Sequence, residues 1–253
     1  MSGWRDLDLE LDAWAAAGSM ASFWWRDDDA ATTTPALDRL LHIADRTRIP
    51  LALAVIPALA SDDLARRLGP ETDAAVLQHG YAHRNHAPDG AKKSELGDDR
   101  PVGAILRELR LGRERLEVLF GPRALPVLVP PWNRIAPTVM ARLASGGFRG
   151  LSVYRARATA RQGDVSVVNA HLDPIDWKRT GGFVGEEAAL ALVTTHLAAR
   201  RLGQADRDEP TGLLTHHLVQ DEATWDFTSA FLTRTKKHKA ARWLAAASAF
   251  AIG

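Results

Sequence analysis

Short apolar runs and longer amphipathic stretches alternate along most of the chain. The apolar runs contain few polar residues, which is typical of strands buried on both faces of a parallel sheet. The runs that we interpret as strands are SFWWR (22–26), IPLALAVIP (49–57), AAVLQHG (74–80), ALPVLVPPW (124–132), GLSVYR (150–155), DVSVVNAHL (164–172) and TGLLTHHLVQD (211–221). Strands that alternate with helical stretches indicate a parallel sheet with helices outside it, either a barrel or a doubly wound sheet.

The stretches between these runs have the residue spacing of amphipathic helices. Apolar residues three and four positions apart indicate a helix within residues 1–20; they are Trp4, Leu7, Leu11 and Trp14. Further helices are predicted at about 34–47, 101–120, 185–202 and 224–251. The first of these has Thr34 as its predicted N-cap residue and Pro35 at the first helical position, a typical helix start.

No internal repeat, low-complexity tract or linker divides the chain, so we predict a single domain over residues 1–253. We expect the helix within residues 1–20 and a helical region over residues 224–253 to pack on the central sheet. The segment 87–100 is rich in polar residues, and we expect it to form a mobile loop.

Composition and charge narrow the possible chemistry. The net charge is +1 and no basic tract is present, so nucleic acid is not an expected partner. The chain has no cysteine, so any metal must be held by His, Asp or Glu, and a thiol nucleophile is excluded. The N-terminal stretch lacks the pattern of a secretory signal, and no apolar run is long enough to cross a bilayer. We therefore expect a cytoplasmic protein without a membrane partner.

Polar clusters directly follow five of the predicted strands. They are Asp27–Asp29, His79–His86, Trp132–Arg134, Asp173–Trp177 and His216–His217. In parallel α/β folds the carboxyl ends of the strands share one face, and that face carries the active site. We therefore expect the five clusters to converge there.

The histidines and the acidic triplet together indicate a metal site. His79 and His83 are four residues apart and can bind one ion, although a surface loop that merely contains histidines is the alternative. The triplet Asp27–Asp29 alone is more typical of a solvated turn or of a helix N-terminus. Considered together, one Asp and two His leave a position open for water, as in a catalytic zinc site. A second Asp beside them could accept a proton from that water.

These residues also carry a resemblance to a known family. The motifs are Asp28-Asp29, His79-x-x-x-His83, Pro131-Trp132, Asp173-x-x-Asp176-Trp177 and Leu213-x-x-His216. In order and rough spacing they resemble the five motifs of the polysaccharide deacetylases, the NodB-homology group of carbohydrate esterases, over about residues 20–221. The resemblance implies a distorted (β/α) barrel with fewer strand–helix units than a TIM barrel. It also implies a divalent ion, usually zinc, and metal-assisted hydrolysis of an acetamide.

The resemblance implies a role for each matching residue. Asp29, His79 and His83 would hold the metal, and Asp28 would be the general base. The family has an apolar residue before the Asp pair, where this chain has Asp27, so a register one residue earlier is the alternative.

The late histidine motif implies that His216 protonates the leaving group, and its neighbour His217 is the alternative. The resemblance further implies a substrate-binding set: Pro131, Trp132, Asn133, Asp176 and Trp177. For the two tryptophans, ordinary core packing is the alternative to lining the acetyl pocket.

One departure from the family concerns an arginine. The family's third motif has an arginine before the Pro-aromatic pair, which braces the catalytic Asp, and this chain has Val-Pro there. Arg26 and Arg134 are the candidate replacements. Asp27, Asp173 and His217 are further candidates for supporting roles.

The resulting prediction is a metal-dependent deacetylase acting on an N- or O-acetylated sugar or glycan. A hydrolase of a small amide or cyclic imide on the same scaffold is one alternative, because polymeric glycans are not cytoplasmic. A non-catalytic member that binds metal or sugar is another, since the arginine is missing from its usual place. The expected partner is an acetylated saccharide or a small amide.

Overall fold

The computed structural model describes residues 3–69 and 72–252, and residues 1, 2, 70, 71 and 253 lie outside the described part. In the described residues the strands are β1 (Ala21–Ala30), β2 (Leu51–Val55), β3 (Ala74–His79), β4 (Ala124–Val129), β5 (Gly150–Leu151), β6 (Arg161–Gln162), β7 (Val165–Val167), β8 (Thr211–Thr215) and β9 (Ala241–Trp243). The α-helices there are α1 (Trp4–Ala16), α2 (Pro35–Thr47), α3 (Asp62–Arg67), α4 (Val102–Phe120), α5 (Pro137–Met140), α6 (Glu186–Arg201), α7 (Glu222–Lys237) and α8 (Ala246–Ala249).

The strands form one sheet that curves into a barrel. Its order is β6-β7-β5-β4-β3-β2-β1-β8, with β9 pairing with the start of β1. The pairs are parallel except for β6 with β7. The segment after β7 pairs with β8 through a bridge between Leu172 and Leu213. Because β8 also pairs with β1, this bridge closes the sheet into a ring. The ring then has fewer strands than the eight of a TIM barrel, so the predicted fold class is confirmed.

Residues of β1 alternate between two apolar clusters, because successive side chains of a strand point to opposite faces. Phe23 and Trp25 belong to the core shared with the helices, whereas Trp24 belongs to a cluster built from β1 to β4 and the C-terminal residues. The ring of Phe250 meets Trp24 edge-on at 5.4 Å. Gly212 makes room for Trp24, since a Cβ there would lie 2.6 Å from the indole nitrogen. Both faces of β1 are therefore buried, which explains its continuous apolar run.

The longer helices follow the sequence prediction closely, with one short strand added near the C-terminus. The Thr34 hydroxyl accepts a hydrogen bond from Leu37 N at 3.0 Å, as expected of an N-cap. Within the stretch predicted to be mostly helical, the three-residue strand β9 pairs with β1 between α7 and α8. The sequence does not reveal β9, because a strand of three residues is too short to show alternation and the flanking alanines favour helix.

Among the described residues, every helix is too short or too polar to span a lipid bilayer.

Candidate metal centre and active site

Two adjacent carboxylates reach into the barrel opening because β1 is irregular at its end. The pairing of β1 with β2 shifts register between Asp27 and Ala30, and Asp29 has a left-handed backbone with φ 74°. In a regular strand Asp28 and Asp29 would point to opposite faces, and the irregularity removes that alternation. Asp tolerates the left-handed region better than most residues, so the local sequence suits this bend.

Asp29 lies between two histidine side chains. Its Oδ1 atom is 3.2 Å from His79 Nε2 and 3.3 Å from His83 Nε2. His79 ends β3, whereas His83 lies in the following turn and has a left-handed backbone with φ 54°. All three ligand atoms lie within 4.8 Å of one another.

The hydrogen bonds around this triad fit a divalent cation. His79 Nδ1 is 3.0 Å from the Val129 carbonyl oxygen, which can only accept, so the Nδ1 proton is fixed there. The Nε2 atom of neutral His79 therefore presents a lone pair to Asp29 Oδ1. That oxygen is buried and has no hydrogen-bond donor in the described residues. A lone pair facing a carboxylate oxygen is repulsive unless a cation or a proton lies between them.

The same proximity shifts the pKa of each member. Burial acts to raise the pKa of Asp29, but a protonated His79, which would donate to it, and the other nearby histidines outweigh burial and hold that pKa well below its usual value. Burial acts to lower the pKa of His79, but the carboxylates of Asp28 and Asp29 outweigh it and raise that pKa. Burial and the neighbouring His79 lower the pKa of His83. A bound cation would replace the proton that His79 otherwise attracts.

Asp28 is paired with a buried arginine from its own strand. Arg26 Nε lies 2.9 Å from Asp28 Oδ1, and Arg26 Nη2 donates to Asp28 Oδ2 at 3.1 Å. The guanidinium also donates to Asn133 Oδ1 at 2.8 Å and to Ser152 Oγ at 2.6 Å. Arg134 instead donates to the Lys93 carbonyl at 2.7 Å. Of the two candidate replacements for the motif arginine, Arg26 is therefore the one in contact with Asp28.

His216 follows β8 and faces Asp28 across the opening. Its Nε2 atom is 4.0 Å from Asp28 Oδ2, and its ring meets that of Trp177 edge-on at 4.8 Å. Trp177 Nε1 donates to Asp173 Oδ2 at 2.7 Å, which fixes the indole. Burial is the main cause that raises the pKa of Asp173. Trp177 is 53% exposed, which excludes ordinary core packing for this residue.

The remaining acidic residue of the triplet, Asp27, points away from the triad. Its carboxylate accepts from the Thr215 hydroxyl at 2.7 Å and from His217 N at 3.0 Å, and it lies 2.5 Å from His217 Nδ1. Burial lowers the pKa of His217, but the charge of Asp27 outweighs it and raises that pKa. Asp27 therefore ties β1 to the end of β8, and the geometry favours the register in which Asp28 and Asp29 face the opening.

The other predicted substrate residues have fewer contacts, and those of Asp176 lie within its own turn. The Trp132 ring is 4.5 Å from the His83 ring, and Pro131 is buried beside it. Asn133 contacts Arg26 as described. Asp176 accepts from Lys178 N at 3.3 Å and shapes its own turn.

The segment 87–100 contains a site residue that sequence reasoning missed. Glu95 is buried and accepts hydrogen bonds from backbone N–H groups of the turn that carries His83. The segment contains no helix and no named strand, as predicted for a loop, but Glu95 anchors it at this point. A polar composition cannot distinguish a solvated carboxylate from a buried one that has found partners.

A second histidine cluster (His171, His196 and Glu209) does not fit a metal. His171 Nε2 and His196 Nε2 lie 3.4 and 4.0 Å from Glu209 Oε2. However, His171 Nδ1 accepts the N–H of Gly212 at 3.0 Å, so the proton of neutral His171 sits on Nε2. That nitrogen then has no lone pair for an ion, and the Glu209 carboxylate already accepts from Arg157 N at 2.9 Å and from Asn169 N at 3.0 Å.

The closed parallel barrel, with an Asp–His–His triad at the carboxyl ends of its strands, defines the class of fold as that of the polysaccharide deacetylases. No protein-family profile matches the sequence, and no curated protein matches it. Solved structures do match, and they confirm at the level of the fold the resemblance predicted from the motifs.

Three of these structures illustrate the likeness. A protein from Mycobacterium smegmatis assigned to the polysaccharide deacetylases is 16% identical, with a TM-score of 0.61 over 92% of this chain and 90% of that chain. A family 4 acetyl xylan esterase from Clostridium thermocellum, in complex with cobalt, is 14% identical, with a TM-score of 0.55 over 91% of each chain. A BA3943 mutant, a CE4 family pseudoenzyme with restored enzymatic activity, is 13% identical, with a TM-score of 0.57 over 92% of this chain and 68% of that chain.

Proposed function

We propose that the protein is a metal-dependent hydrolase that removes an acetyl group from an N- or O-acetylated sugar or glycan. The observation that supports this most directly is the set of three groups around one opening. They are the triad of Asp29, His79 and His83, the ion-paired carboxylate of Asp28, and the His216 imidazole 4.0 Å from that carboxylate. Hydrolysis of an acyl group needs an electrophile, a base and an acid, and these groups can supply all three.

Asp29, His79 and His83 would hold the ion, and we propose zinc because imidazole and carboxylate ligands in this number are typical of catalytic zinc sites. A divalent ion bound there would polarise the acetyl carbonyl group and lower the pKa of water to about 7. The hydrogen bond from His79 Nδ1 to the Val129 carbonyl holds the ring with Nε2 toward the ion.

Asp28 is proposed as the general base. Its carboxylate would accept a proton from the attacking water while the water oxygen bonds to the acetyl carbon. Arg26 touches both oxygens of this carboxylate and is itself held by Asn133 and Ser152. The arginine therefore restricts the orientation of Asp28 and balances its charge, which supports a catalytic member over a degenerate one.

His216 is proposed as the general acid. Its imidazole would deliver a proton to the departing nitrogen, or to the oxygen of an ester, as the bond to the acetyl carbon breaks. The products are acetate and the deacetylated sugar. Trp177 lies against this ring and is exposed, so it offers a flat surface to the leaving part of the substrate. Pro131, Trp132, Asn133 and Asp176 are proposed to complete the substrate-binding surface.

The test combines metal analysis with a substrate panel. We expect the purified protein to contain one divalent ion per chain and to release acetate from at least one acetylated saccharide. Asp28→Asn should reduce the rate by about 10²–10⁴-fold, typical of losing a general base, while the ion is retained.

The panel should also contain small amides and cyclic imides, to separate the alternative substrate class. A rate on those compounds alone would replace the saccharide proposal. Metal binding without turnover of any compound would favour the non-catalytic alternative.

A further inference from the structure

The carboxylate of Glu95 lies beneath the His83 turn (residues 80–84). It accepts hydrogen bonds from the backbone nitrogens of Tyr81 at 3.0 Å, Ala82 at 2.8 Å and Arg84 at 3.4 Å. Several N–H groups of one turn therefore converge on a single anion, as in backbone sites that bind anions in other proteins. Glu95 is 1% exposed, so water cannot take its place without a rearrangement of the turn.

The conformation of the His83 turn depends on the Glu95 carboxylate. Gly80 and His83 both have left-handed backbones, with φ 57° and 54°. A Cβ on Gly80 would lie 1.9 Å from Glu95 Oε2 and 2.7 Å from the Pro131 ring, so the carboxylate packs directly against the glycine. Without an acceptor, the inward N–H groups would be buried and unsatisfied, which is unfavourable enough to favour another conformation.

Glu95 is in turn fixed by its neighbours on both sides. Ser94 N donates to Asn85 Oδ1 at 2.9 Å, and His86 N donates to the Ser94 carbonyl at 2.9 Å. On the other side, Ala136 N donates to the Leu96 carbonyl at 2.8 Å. The backbone on both sides of Glu95 is thus held, which fixes where its carboxylate meets the His83 turn.

We propose that Glu95 is a positioning residue for the metal ligand His83, an inference that rests on the proposed function. Its carboxylate holds the turn in the conformation that brings His83 Nε2 to 3.3 Å from Asp29 Oδ1. Loss of the carboxylate keeps all three ligand residues in the chain, but His83 is then no longer held in a fixed position. Outer partners of this kind typically change metal affinity by about 10–100-fold.

The test measures Co²⁺ binding by the full chain after metal removal. Glu95→Gln keeps the shape and one acceptor oxygen, but an NH₂ group replaces the other oxygen and cannot accept from the backbone N–H group that faces it. We expect Co²⁺ to bind about 10–100-fold more weakly, with an altered visible absorption spectrum. The matched control is Asp89→Asn, which removes the same charge from an exposed position of the same segment and should match the wild type.

Each outcome decides between positioning and simple stabilisation. Equal Co²⁺ affinity and an equal spectrum in Glu95→Gln would overturn the proposal, even if its melting temperature falls. If Glu95→Gln does not fold, Glu95→Asp keeps the charge but withdraws it, and the same weaker binding is expected. Fast hydrogen exchange of the Tyr81 and Ala82 amides in the folded wild type would also overturn it.

The same measurement separates this inference from the proposed function. Failure of the wild type to bind Co²⁺ contradicts the proposed function itself. Binding of equal strength by the wild type and Glu95→Gln contradicts this inference alone.

Discussion

At the scale of single residues, three consecutive carboxylates are tolerated because each has a different partner. Asp27 is bound by the end of β8 and Asp28 by Arg26, whereas Asp29 faces the two histidines with which it would hold a cation. Buried carboxylates are most costly when they have no compensating partner. The irregularity at the end of β1 separates the three side chains and lets each find a compensating group.

The pair of Arg26 with Asp28 predicts a large effect on stability. Both side chains are buried, so Arg26→Met would leave an uncompensated carboxylate in the barrel. We expect the free energy of unfolding to fall by about 3–5 kcal/mol, measured by urea denaturation of the metal-free protein.

The matched control for Arg26 is Arg39→Met. Arg39 pairs with Glu222 on the surface, where the two side chains are 39% and 79% exposed. Screening by water makes such a pair weak, so little change is expected. Losses of equal size in the two variants would contradict the importance given to burial.

At the scale of secondary structure, the sequence predicts most elements but not their irregularities. Apolar runs locate the strands, and the polar residues after them locate the site, since both patterns are local. The short strand β9 is missed because its pairing with β1 is a contact between distant residues. Glu95 is missed for the same reason. The sequence could have favoured Arg26 over Arg134 as the partner of Asp28, because residues two apart on a strand share a face.

The fit between β8 and β1 predicts the outcome of filling Gly212. A Cβ there would lie 2.5 Å from the Asn169 carbonyl and 2.6 Å from Trp24 Nε1. Gly212→Ala should therefore destabilise the protein by about 1–3 kcal/mol in chemical denaturation. Gly103→Ala is the control, since its site in α4 is open and alanine favours helix, so stability should rise slightly. A neutral Gly212→Ala variant would mean that the barrel interior is more adaptable than this geometry implies.

At the scale of the whole molecule, two clusters in the described part of the chain combine two histidines and one carboxylate, and one of the two fits a metal. The difference lies in the atom that each buried Nδ1 faces, a carbonyl oxygen for His79 and an N–H group for His171. Sequence spacing cannot reveal this, because the deciding backbone atoms come from distant strands. It does reveal the order of the five motifs, and hence the fold.

This difference predicts one divalent ion per chain. We expect His171→Ala to keep that stoichiometry in elemental analysis of the purified protein. His79→Ala should lower the metal content strongly, because it removes a ligand of the triad. Two ions per wild-type chain, falling to one in His171→Ala, would contradict the hydrogen-bond assignment of the second histidine cluster.

The second histidine cluster also predicts how stability depends on pH. Burial, with smaller effects from His171 and Arg200, lowers the pKa of His196 to about 2. In the unfolded chain the same group titrates near its ordinary value of about 6.5, so below that pH the unfolded state binds more protons. His196 therefore destabilises the fold as the pH drops below about 6.5, by up to about 1.4 kcal/mol per pH unit, and has no such effect above it. Other histidines, such as His79 and His217, have raised pKa values, and their effect on stability has the opposite sign.

The effect of His196 must therefore be measured by comparing the wild type with a variant. Between pH 6.5 and 4.5 the stability of the wild type should fall more steeply than that of His196→Gln. Parallel curves would show that His196 takes up its proton in the folded state.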